Sequence, residues 1–193
     1  MKKLILPILF FTLLFSTAQV MAVKINDEAQ RQAQIEQYLK EFVGNSLFYY
    51  PNIRSALFNA LAKLPDDVFA TVTDRRHPLI FVISINSGIA RFANATEFVT
   101  EKNDPPTFTE GFYLIILGDE LNNTTDVEAI DGVILHEIAH AYLQHLHVDQ
   151  PSCELEREAN RLVKEWGYEE IFLKAKAQFG SKSKDDSPCY DSD

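Results

Sequence analysis

Between Ile130 and Leu146 the chain runs through a long, largely apolar stretch at whose centre the polar side chains His136, Glu137 and His140 are set. No other segment restricts the fold as much. Its length and apolar content call for a helix at the centre of the molecule, yet two imidazoles and a carboxylate flanked by Val133, Ile134, Leu135, Ile138 and Ala139 are costly to bury without partners. Two incidental histidines on a core helix would leave that cost unexplained. Thr125, followed three residues later by Glu128, reads as a capping box that starts the helix.

Residues four apart on a helix lie one turn above each other on the same face, so His136 and His140 can converge on one cation. Neutral imidazoles suit zinc at about 2.0–2.1 Å, and Glu137, turned too far round the helix to ligate, is placed to act as a general base on water. A catalytic zinc usually takes three protein ligands, so a third is expected downstream. His147 lies about 10 Å further along a continuous helix, His145 is off the face, and Leu146 stands where a metzincin would place its third histidine. On the next helix, from about Cys153 to Trp166, Leu155, Ala159, Leu162, Val163 and Trp166 form an apolar stripe, and Glu156 and Asn160 share the adjacent line.

The run from Val133 to Tyr142, with uncharged residues around His136-Glu137-x-x-His140, resembles the extended zincin helix. The segment Glu156-Arg157-Glu158-Ala159-Asn160 resembles the third-ligand helix of gluzincin peptidases of the HtpX-like and ImmA/IrrE-like kinds. That resemblance implies zinc held by His136, His140 and Glu156, Glu137 as the catalytic base, Asn160 supporting a ligand, and a peptide or protein substrate. It also implies an α+β zincin-like fold, with a small, mostly antiparallel sheet packed on the central helix and a third-ligand helix beside it. A non-catalytic zinc-binding protein of the periplasm, interacting with a partner or acting as a chaperone, is the alternative. By chemistry alone, Tyr142, His145, Tyr168 and Arg91 are candidates to stabilise an oxyanion.

Upstream, residues 26–42 and 52–64 carry helical spacing, Gly44 fits a C-cap and Pro65 ends the second helix. Val68 to Val72 and Leu79 to Ile85, β-branched and aromatic, read as strands around the turn Thr73–His77. Ile89 to Thr100 is a weaker strand, Glu101 to Gly111 with Pro105 and Pro106 a loop, and Phe112 to Leu117 a strand. Ile89–Thr100 and Phe112–Leu117 are the candidates for a peptide-binding edge. Glu169 to Phe179 reads as a last helix, and residues 180–193 as a loose polar tail.

Lys2 and Lys3 before the apolar run Leu4–Phe15 and the small-residue segment Ser16–Ala22 read as a secretory signal peptide over residues 1–22, cleaved after Ala22 or Ala18. The run falls short of the roughly 20 residues of a spanning helix and Pro7 interrupts it, so no stable membrane insertion is expected after cleavage. Residues 23–179 then form one domain, periplasmic or secreted. Cys153 and Cys189 permit one disulfide in such a compartment, or each stays free. The formal charge of −10 becomes two units more negative once the segment is removed, which disfavours nucleic acid and anionic membranes.

Overall fold

A computed structural model describes residues 27–85, 93–101, 108–145, 152–180 and Cys189, with the side chains of 97–101 and 108–110 outside that description. The expected signal segment, the cleavage sites and most of the polar tail lie outside the described residues.

Helix α1 spans residues 27–42 and buries Ile35, Tyr38 and Leu39. Gly44 follows at φ 68°, the left-handed conformation that suits a helix C-terminus, and opens a 3-10 turn, Gly44–Tyr49. Pro51 occupies the first turn of α2, Pro51–Lys63, where a missing N–H costs nothing.

The segment Val68–Val72, expected as a strand, is instead part of helix α3, Asp66–Val72. Pro65 at the N-cap and the acids Asp66 and Asp67 in the first turn favour a helix start. Val68, Phe69 and Val72 then bury one helical face, a pattern that a short β-branched run does not distinguish from a strand. The expected turn before β1 is present: the Asp74 carboxylate accepts from the Arg76 amide and guanidinium. These bonds hold its carboxyl at about 2, below the usual range.

Three strands follow, β1 (Leu79–Ser84), β2 (Ala93–Glu101) and β3 (Phe108–Gly118), in the order β1-β3-β2. β1 runs parallel to β3, Phe81 opposite Ile115, and β2 runs antiparallel to β3, Ala95 opposite Ile115. The sheet is therefore mixed rather than mostly antiparallel, because the helical α3 removes the hairpin that a strand at 68–72 would have made with β1. The loop expected from Glu101 to Gly111 is shorter, since Glu101 pairs with Phe108 after an irregularity at Thr100/Glu101. Proline blocks ladder bonds at its own position, and its neighbours stay free to pair.

A second 3-10 turn, Asp119–Asn123, leads to α4, Val127–Tyr142. The N-cap is Asp126 rather than Thr125: its carboxylate accepts from the Ala129 amide at 3.3 Å. Glu128 does not close a capping box but pairs with Lys174. Helix α4 packs against α2, β2 and the two helices that follow it, and buries Ile130, Ile134, Leu135, Ile138 and Ala139. Ser152 caps α5, Cys153–Glu165, which ends in a Schellman arrangement: Tyr168 N–H bonds the Val163 carbonyl, Gly167 N–H bonds that of Lys164, and Gly167 has φ 90°. Helix α6, Glu169–Phe179, closes the layer, and Cys153 and Cys189 form a disulfide with Cα atoms 5.1 Å apart. Among the described residues no helix is long and apolar enough to cross a membrane.

Candidate metal centre

His136 and His140 stand one turn apart on α4, their ring planes at 83° and their Nε2 atoms 3.1 Å from each other. Burial of Ala159 and Val163 and packing of Leu162 and Trp166 against the core set the face that α5 presents to α4. Glu156 is thereby aimed at the histidines, with Oε2 3.2 Å from His136 Nε2 and Oε1 3.4 Å from His140 Nε2. An ion bound tetrahedrally at about 2.0–2.1 Å would hold its ligands about 3.3 Å apart, so the observed spacings fit such an ion with little rearrangement. Among the described residues these three side chains form the one group of donors that could hold a metal.

Burial alone would push the His136 imidazole down. Glu156, as hydrogen-bond partner and as charge, together with Glu137 and Asn160, outweighs it and holds the ring above the usual histidine range. Glu156 is also disfavoured as a charge by burial, yet its contacts with the His136 and His140 rings hold its carboxyl far below the usual range. Glu137 is raised, first by burial and also by Glu156, against the opposing effect of His136 and His140. Asn160 is buried and hydrogen-bonds to His136.

The structure therefore brings together His136, Glu137, His140, Glu156 and Asn160. Arg91 and His147 lie outside the described residues. Tyr168 is committed elsewhere, its hydroxyl donating to the Lys63 carbonyl at 2.6 Å, and Tyr142 sits edge-on to Trp166.

His145, set aside as a ligand for lying off the face and kept as an oxyanion candidate, and Glu158, given no role in the sequence, both lie beside the site. α4 ends at Tyr142, four residues before the expected Leu146, and Gln144 takes φ 59°. The chain turns back, and His145 Nδ1 lies 3.1 Å from His140 Nδ1, with its Nε2 3.1 Å from Glu158 Oε2. On an uninterrupted helix His145 would face away, and no glycine or proline marks the break. No family model matches this chain, and neither a curated protein nor a solved structure matches it.

Proposed function

We propose that the chain is an exported zinc-dependent metallopeptidase that hydrolyses peptide bonds, with His136, His140 and Glu156 as metal ligands and Glu137 as general base. The observation that carries this reading is the convergence of His136 Nε2, His140 Nε2 and Glu156 carboxylate oxygens, 3.1 to 3.4 Å apart, beside a second carboxylate. Zinc, when bound there, supplies Lewis acidity that polarises a carbonyl and eases deprotonation of water. A four-coordinate ion held by His136, His140 and Glu156 would keep one position for a non-protein ligand.

Glu137 accepts the proton of the attacking water and returns it to the leaving amine. A carboxyl raised by burial suits both transfers, since a base works best when its pKa lies near the operating pH. β3 is paired on both sides and cannot take up a peptide strand. β2 packs on α4, and among the described residues no strand pairs with its other edge, so it is the strand along which an extended substrate would lie. Export is supported by the signal-like residues 1–22 and by the Cys153–Cys189 disulfide, which persists in oxidising compartments.

Hydrolysis of a peptide library by the zinc-loaded chain tests the proposal. Glu137→Gln should keep zinc and lose about 10²- to 10⁴-fold in rate. Equal rates in wild type and variant would overturn the mechanism, and a zinc-loaded wild type without turnover would favour the non-catalytic interaction protein.

A further inference from the structure

His145 is nearly buried, its side chain 6% exposed, and both ring nitrogens are engaged, Nδ1 by His140 and Nε2 by Glu158. The chemistry of these contacts orders the protons. A carboxylate oxygen accepts, so His145 carries its proton on Nε2 and offers a lone pair at Nδ1. That lone pair takes the Nδ1–H of His140, which leaves the His140 Nε2 lone pair facing His136 and Glu156. The alternative, with the His140 proton on Nε2, would set two lone pairs against each other at the buried Nδ1 contact. Arg161 lies 4.0 Å from the Glu158 carboxylate.

The backbone brings the two rings together. Gln144 adopts a left-handed conformation that is uncommon for a residue with a side chain, and this turn is what brings His145 back against His140. A continued helix would have avoided that conformation and exposed the ring elsewhere.

Resting on the metal-ligand assignment above, we propose that His145 and Glu158 are positioning residues. They form a carboxylate–imidazole–imidazole relay that locks His140 in its Nδ1–H tautomer and aims Nε2 at the metal. Partners that donate or accept behind a ligating imidazole fix its orientation and raise its basicity, and their loss typically costs about 10- to 100-fold in metal affinity.

The test is the zinc affinity of the full chain, measured by competition with a chromophoric chelator, together with the imidazole tautomers of the metal-free chain read from long-range ¹⁵N–¹H spectra at mildly alkaline pH. His145→Ala and Glu158→Ala should each weaken zinc binding by about 10- to 100-fold. Glu158→Gln, which still presents an accepting oxygen, should recover part of the Glu158→Ala loss. A purely packing role would give no such recovery. Because Glu158 is partly exposed, its variants should fold even where His145→Ala does not. In the wild type the spectra should show His140 protonated on Nδ1 and His145 on Nε2. Wild-type zinc affinity in both alanine variants, or a His140 proton on Nε2, would overturn the relay while leaving the ligand assignment standing. A wild type that binds no zinc would instead defeat the ligand assignment, and the tautomers of the metal-free chain would then decide the relay.

Discussion

Asp131 sits inside α4 with no exposed surface, and Lys63 from α2 reaches it with Nζ 2.5 Å from Oδ2. Burial raises its carboxyl above the usual range, against the opposing influence of Lys63 and Asn59. Folded protein therefore binds this proton more tightly than unfolded chain does. Its contribution to stability is complete below the ordinary aspartate value of about 3.9 and is lost as pH rises through the elevated folded value. Asp131→Asn should remove that fall: denaturant unfolding as a function of pH should give the wild type a more negative slope than the variant across this window. Parallel slopes would refute the assignment. At this scale the sequence is informative where chemistry is local. His136, Glu137 and His140 declare themselves by type, spacing and apolar surroundings, and Glu156 by its place beside the stripe of α5. Nothing local declares His145 and Glu158, whose meeting depends on where α4 stops.

Gly132 sets how closely α4 and α6 approach. A Cβ there would lie 2.7 Å from both the Ala175 Cβ and the Ile171 carbonyl oxygen, neither of which is the end of a flexible side chain. On an open helix Gly→Ala gains about 1 kcal/mol. Here overpacking against α6 costs about 1–3 kcal/mol. Gly132→Ala should therefore lower stability in urea titrations, and an unchanged or raised midpoint would contradict the packing described. Helices α1, α2, α4, α5 and α6 follow from apolar periodicity, whereas α3 does not, because five apolar or β-branched residues are too few to reveal a period. The start of β3 was likewise hidden by Pro105 and Pro106, which say where pairing stops but not how soon it resumes.

Across the whole molecule, every helix but α3, the presence of a small sheet and the central position of α4 were legible, but the parallel β1–β3 pairing was not. Strand direction depends on how α3 and the segments between strands route the chain, and no residue pattern within a strand encodes it. The disulfide connects α5 to Cys189, 36 residues on from Cys153, and loop-closure entropy makes it worth about 3–4 kcal/mol. It anchors the first turn of the helix that carries Glu156, so the site depends on α4 for two donors and on a stapled α5 for the third. That dependence makes the central claim testable without any substrate. Zinc bound per chain at equilibrium dialysis should be one ion for the wild type and should fall sharply for Glu156→Ala under the same conditions. Equal zinc in the two proteins, or none in the wild type, would contradict the account.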